Sequence, residues 1–374
     1  MINSELRATI FFGYKEKFEQ QIKSVVNYVT LTEMVVDFDV KRNSGDKHFD
    51  EFDNLIVYSD EYGSVNESVL QNFMMFVKIY KIKNIYVQNP PVKLVDNLKR
   101  FVNCQNINEI NYSYDVISLE KIKDFGFRVS EQIYGQSSAL LNLKKSMIAH
   151  LKFNSDNKPL VLMFYGPSGV GKTETSKILS KVLDSDSELF IKPFGMYQSI
   201  NAINNLYGDK LSEGSFAKEL LDRKSNVILI DEFDKANPVC FSAFYQLFDE
   251  GVYIDKNYRV NLKNSIIICT SNYKDPEEIR KNLGDPIYFR FDAFIKFNEL
   301  SEEYKKIIIE KKYNKCMLDL DVKDREIIEK TNVKNELLSS ASKIQNARKV
   351  ESIVKDTLAL ILLDKLEESE KKEV

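Results

Sequence analysis

The sequence has no tryptophan, only two histidines and only four cysteines among its 374 residues. His48 and His150 stand too far apart for a histidine-based metal cluster and read as ordinary histidines. Cys104, Cys240, Cys269 and Cys316 show no CxxC spacing. Neither a zinc site nor a disulfide frame is suggested, and reduced thiols in a cytosol fit best. No apolar run reaches the roughly 20 residues needed to span a bilayer. The start, Met1 to Arg7, lacks a basic segment followed by an apolar one. The expectation is a cytoplasmic protein with no membrane partner. There is no internal repeat and no low-complexity linker, and the charged stretch Asp364 to Val374 reads as a fraying end. Net charge is -3, so no global basic field points to nucleic acid.

What is present is ordinary globular material, 43% hydrophobic and 29% charged, long enough for two or three domains. The first third reads as a small α/β unit. Strands are expected at Ala8–Phe12, Leu31–Val40, Asn54–Tyr58 and Asn84–Val87, with helices at Glu16–Tyr28, Val69–Tyr80 and Val92–Phe101. Alternating strands and helices imply a mainly parallel sheet. Asp37, Asp39, Asp60 and Glu61 fall near expected strand ends, where metal-dependent phosphotransfer sites can form, but acids there are commonly solvated turn residues. Residues 1–116 are taken as this unit and 117–132 as a helical connector. A large α/β domain (133–298) and a helical domain (299–374) follow. Strand signals vanish after Ser301, and Val350 to Leu366 reads as one long amphipathic helix.

The large domain carries the chemistry. Val161 to Tyr165 is a buried-strand run. Gly166-Pro167-Ser168-Gly169-Val170-Gly171-Lys172-Thr173 follows it, and then a helix, Glu174 to Leu183. This is GxxxxGK[ST] between a strand and a helix. The glycines let the backbone wrap a phosphate, and the loop amides and helix N-terminus turn positive dipole toward it. Lys172 is placed to reach β- and γ-phosphates, and the Thr173 hydroxyl to ligate Mg²⁺. A second apolar strand, Val227 to Ile230, ends in Asp231-Glu232. Asp231 can hold Mg²⁺, and Glu232 can polarise an attacking water. A third, Ser265 to Cys269, ends at Thr270-Ser271-Asn272, where Asn272 can orient water or touch the γ-phosphate. The cofactors expected from these residues are ATP and Mg²⁺.

From about Glu131 to Leu363 the sequence resembles the second ATPase module of the Clp family of AAA+ protein unfoldases and disaggregases. Ile133-Tyr134-Gly135-Gln136 resembles the family's adenine-side segment. Glu174 and Lys177 follow the loop as in many Clp proteins. Asp231 to Pro238 resembles the extended Walker B segment, and Phe248-Asp249-Glu250-Gly251, Asp255, Arg259 and Asn264 keep the family's spacing. The resemblance implies further roles. Arg290 takes the place of an arginine finger that reaches a neighbouring subunit's ATP, and Arg348 that of the sensor 2 arginine. Tyr207, in Leu206-Tyr207-Gly208-Asp209, takes the place of the pore-loop aromatic that grips a polypeptide. An arginine acting in trans implies a ring, expected to be a homohexamer, because a guanidinium completes the phosphate site only at a subunit interface.

The sequence departs from the family in places. Only Tyr273 to Phe289 separates the third strand from Arg290, and no Ile-Gly-Phe-type docking loop is found, so a Clp-type protease partner is not expected. There is one ATPase module, and the first third resembles no Clp N-domain. Three functions are weighed: an ATP-driven ring that remodels protein targets; a nucleotide-gated switch or scaffold controlling a partner protein in a regulatory or defence system; and, last, a nucleic-acid motor, for which no aromatic-basic platform is present.

Overall fold

The computed structural model describes residues 5–373 apart from 155, 199 and 345. Short runs rich in β-branched and aromatic residues form β1 (Arg7–Phe12), β2 (Tyr28–Thr30), β3 (Asn54–Val57) and β4 (Asn84–Gln88), and a more polar segment forms β5 (Ile107–Asn111). They pair in parallel in the order β2-β3-β4-β1-β5. Alternate residues bury against helices on both faces. Ile10, Leu55, Val57, Ile85 and Val87 fill one core, while Phe11 and Ile56 meet Phe18 and Ile22 on the other.

Three expectations fail here, the first being the helix at Glu16–Tyr28, which ends at Ile22 before Tyr28 enters β2. Leu31–Val40 is not a strand but most of a helix, Leu31–Ser44. Thr30 and Glu33 form a reciprocal capping box, with Thr30 N donating to the Glu33 carboxylate at 2.9 Å. That cap outweighs the local valines, and Val36 and Val40 are left exposed. β5 was not anticipated, because Ile107-Asn-Glu-Ile-Asn is a half-exposed edge strand with two apolar residues. The acids do not gather into a site either. Asp37 accepts from the Tyr80 hydroxyl at 2.7 Å, and Glu61 accepts from the Thr32 and Tyr58 amides. Among the described residues no group of three or more histidine, cysteine or acidic side chains could hold a metal ion.

The helix Leu119–Gln132 leads to a second helix, Ser137–Phe153, and then to a second sheet. Its members are β6 (Leu160–Tyr165), β7 (Phe190–Pro193) and β8 (Val227–Asp231). After a hairpin of β9 (Val252–Ile254) and β10 (Arg259–Asn261) come β11 (Ile266–Thr270) and β12 (Ala293–Lys296). The order is β12-β6-β11-β8-β7, all parallel. β6, β8 and β11 are continuous apolar runs because helices cover both faces, as a parallel sheet requires. The register sets Cys269 beside Ile230 and Thr270 beside Phe164, so the carboxyl ends of the three central strands share one edge. Beyond it lie the helices Glu302–Asp319, Val322–Glu329, Val333–Ser339 and Val350–Glu373, packed around Ile309, Tyr313, Ile328 and Val354. No helix among the described residues is long and apolar enough to cross a membrane.

Candidate nucleotide site

The loop after β6 turns through three glycines at positive φ: Gly166 at 127°, Gly169 at 78° and Gly171 at 107°. Side chains there would collide as well as strain. A Cβ on Gly166 would lie 2.1 Å from the Phe297 carbonyl oxygen, and one on Gly169 1.8 Å from Asn346 Oδ1. Pro167 and Ser168 are exposed at the rim, and Val170 is buried beneath. The helix Lys172–Leu183 starts at the loop's end and points its free amides into the turn.

Lys172 is buried, and its Nζ donates to the Gly166 and Pro167 carbonyls, the latter at 3.0 Å, and to Asn272 Oδ1 at 3.3 Å. Burial pushes its ammonium down to about 8, although Asp234 and Asp231 pull the other way. Thr173 is half-buried beside it. Across the cleft, Asp231 Oδ1 accepts the Thr270 hydroxyl at 2.5 Å, and the same oxygen of Thr270 accepts the Glu232 amide at 2.9 Å. Glu232 is exposed and sits at φ 56°, a left-handed conformation that costs a non-glycine residue about 1–3 kcal/mol and marks functional turns. Gly195 leaves room for its carboxylate, since a Cβ there would stand 2.7 Å from Oε2. Ser271 Oγ and Asp234 Oδ1 are buried without a hydrogen-bond partner among the described residues.

Ile133 is buried and forms one wall, 3.4 Å from where a Gly171 Cβ would be. Tyr134 follows, its hydroxyl donating to the Glu131 carbonyl. Arg348 comes from the helical region, its amide held by Asn346 Oδ1 at 2.9 Å. Together with Glu174, these groups line one cleft of about 740 Å³, ample for a nucleotide. The loop residues, Thr173, Asp231, Glu232, Asn272 and Arg348 are thus brought together. Arg290 and Tyr207 are not. Arg290 donates Nε–H to Asp249 at 2.9 Å and lies 4.3 Å from the Tyr245 ring centre. Tyr207 ends the helix Ile200–Tyr207, half-buried against the core, with its hydroxyl 3.5 Å from Ser242 Oγ.

Sequence reasoning missed Lys311, Lys312 and Lys315, which line the same cleft from the helix Glu302–Asp319. Lys311 lies 5.0 Å from the Tyr134 ring centre, and Lys312 pairs with Glu351. Their spacing is that of any solvated helix face, so no motif announces them.

The residues fit a nucleotide triphosphate. The loop offers amides and a buried ammonium whose partners among the described residues are carbonyl oxygens, and the cleft adds lysines and an arginine. Thr173 and Asp231 offer the hard oxygen donors that Mg²⁺ prefers.

Residues 157–318 match the family model described as AAA domain (Cdc48 subfamily). The chain is 28% identical over 231 residues to the ATP-dependent Clp protease ATP-binding subunit ClpL of Staphylococcus aureus (strain bovine RF122 / ET3-1), covering 56% of this chain and 33% of ClpL. It is 34% identical over 169 residues to the chaperone protein ClpB of Chlamydia pneumoniae, covering 42% of this chain and 19% of ClpB. Residues 157–318 carry an AAA domain, and the chain around it is similar to Clp-family proteins. Its fold is that of Hsp104. A closed-state cryo-EM reconstruction of Hsp104 with ATPγS and FITC casein superposes with a TM-score of 0.55 at 14% identity, covering 96% of this chain and 89% of that one. The S. cerevisiae Hsp104-ADP complex gives 0.53 at 19%, covering 67% and 41%. The AAA+ chain spans a third or less of the length of the ClpL and ClpB relatives it matches.

Proposed function

We propose that this chain hydrolyses ATP, with Mg²⁺, as a subunit of a ring, expected to be a homohexamer, that rearranges protein targets. The observation that carries this is the convergence of Lys172, Thr173, Asp231, Glu232 and Asn272 on the carboxyl edge of three adjacent parallel strands, with Arg348 closing over them. Lys172 and the loop amides hold the phosphates. Thr173 and Asp231 hold the cation, which neutralises phosphate charge when bound. Glu232 orients and polarises water, and Asn272 positions Lys172 and the reacting phosphate. The Clp-family relatives named chaperone support the remodelling role.

Arg290 does not line its own cleft and pairs with Asp249 instead, which leaves a role at a neighbour's site open to it. The test is ATP turnover against protein concentration for wild type, Glu232→Gln and Arg290→Ala. Turnover that rises with concentration and is lost in both variants supports the ring. Turnover independent of concentration that survives Arg290→Ala overturns it.

A second reading, a nucleotide-gated switch controlling a partner protein, is favoured by the surroundings of Tyr207. The loop after it is fastened down: Asn257 Nδ2 donates to the Gly208 carbonyl at 2.6 Å, and Leu211 packs on the N-terminal core against Gly63. Tyr207→Ala separates the two. Loss of protein unfolding with ATP turnover kept supports threading, and retention of function supports the switch.

A further inference from the structure

The N-terminal sheet reverses its winding between β1 and β4. The helix after β1, Lys15–Ile22, packs through Phe18 and Ile22 on the face of Phe11 and Ile56. The helix after β4, Val92–Phe101, packs through Leu94 and Leu98 on the opposite face, with Ile10 and Val57. The two connections leave the carboxyl edge in opposite directions and open a crevice between them. In open parallel sheets this is where ligands bind.

Ser59, Gln88 and Asn89, each at most 3% exposed, point into this crevice. Gln88 and Asn89 both donate to the Gly13 carbonyl at 3.0 Å, and Asn89 Oδ1 accepts the Gly13 amide at 2.9 Å. Their remaining donors meet on one carboxylate from the ATPase region, that of Asp222. Asn89 Nδ2 donates to Oδ1 at 2.6 Å, Gln88 Nε2 to the same oxygen at 3.4 Å, and Ser59 Oγ to Oδ2 at 3.1 Å. A groove of about 480 Å³, flanked by Asp60, Lys218 and Lys224, runs from solvent to Asp222.

We propose that this crevice recognises a free carboxylate, as carried by an acidic peptide side chain or a chain terminus, and that Asp222 fills it in cis. Three neutral donors on two oxygens suit a carboxylate, whereas a doubly charged phosphate calls for a cation in contact. Burial pushes the Asp222 carboxyl up to about 6. Asn89, Ser59 and Lys218 pull it down and Asp60 pushes it up. Asp222 follows the helix Phe216–Leu221 and leads into β8, whose last residue is Asp231. A carboxylate ligand that displaces Asp222 therefore removes one of the contacts that tie the N-terminal sheet to the segment leading into the nucleotide cleft, beside those of Tyr114 with Arg223 and Glu16 with Lys224. This holds whether or not the cleft turns ATP over.

The test is chemical rescue in the full-length chain, read by amide hydrogen exchange. Asp222→Ala is expected to speed exchange at Gly13 and Ser59 by about tenfold or more, the effect of losing hydrogen bonds to a charged group. Sodium acetate is expected to restore protection, and sodium chloride at equal ionic strength is not. Adding Asn89→Ala should abolish the rescue. Asp222→Asn, which keeps the volume but removes the charge and leaves one acceptor oxygen where three donors met two, should speed exchange without creating a cavity. Unchanged exchange in both Asp222 variants overturns the proposal. So does equal rescue by chloride, no rescue by acetate, or stronger rescue by inorganic phosphate.

Discussion

Thr270 ties itself to Asp231: its hydroxyl donates to the Asp231 carboxylate at 2.5 Å while accepting the amide of Glu232 at 2.9 Å. One hydroxyl thereby fixes both acids at the end of β8, and it comes from the neighbouring strand. A hydrogen bond to a charged group contributes about 1.5–3 kcal/mol. Thr270→Val, which keeps the shape, is expected to lower ATP turnover by about tenfold or more. Circular dichroism should show the fold retained. Turnover equal to wild type would remove Thr270 from the machinery.

Lys172 supplies a pH dependence. Its ammonium is pushed down to about 8 by burial, and bound phosphate raises it again. Binding is therefore linked to proton uptake. Nucleotide affinity is full below pH 8 and declines as pH rises through 8 toward the ordinary lysine value, about 10.4. Calorimetric titration with ATP at pH 8 in two buffers of different ionisation enthalpy should give different apparent heats. Equal heats would mean that Lys172 is already fully charged in the free protein.

Gly169 and Asn346 touch across the boundary between the loop and the helical region. Gly169→Ala places a methyl 1.8 Å from Asn346 Oδ1 at a φ of 78°. Asn346 cannot simply withdraw, because the same oxygen holds the Arg348 amide. Gly169→Ala is expected to weaken nucleotide binding by about tenfold or more, since clash and strain together exceed about 1.4 kcal/mol. Adding Asn346→Ala should recover part of the loss in a fluorescent-nucleotide titration. No recovery would place the whole cost in the loop backbone.

Arg290 pairs with Asp249 and lies over the Tyr245 ring. The ion pair is partly exposed and contributes at most about 1 kcal/mol to stability. Arg290→Ala should shift the melting temperature by only a few degrees. Its cost should appear in turnover, recoverable by mixing with Glu232→Gln subunits whose own arginine is intact. Absence of recovery in mixed assemblies would argue against a contribution in trans.

The nucleotide loop was legible in the sequence because strand, glycine turn and helix are contiguous, and their geometry follows from local backbone rules at Gly166, Gly169 and Gly171. The strands that lead to Asp231 and Asn272 were legible because a strand buried on both faces must be a continuous apolar run. The helix Leu31–Ser44 was misread because a two-residue cap outweighed the residues it precedes, and β5 because an edge strand needs few apolar residues. The tertiary structure alone decided which distant groups meet. Lys172 and Asn272 are 100 residues apart in the chain, and Asn89 and Asp222 are 133 apart. Lys311, Lys312 and Lys315 turned from a solvated helix face into a wall of the cleft. Local hydrogen bonding and burial periodicity are written in neighbouring residues, whereas such meetings depend on how whole sheets and helices pack, a sum over many small contacts that no short segment carries.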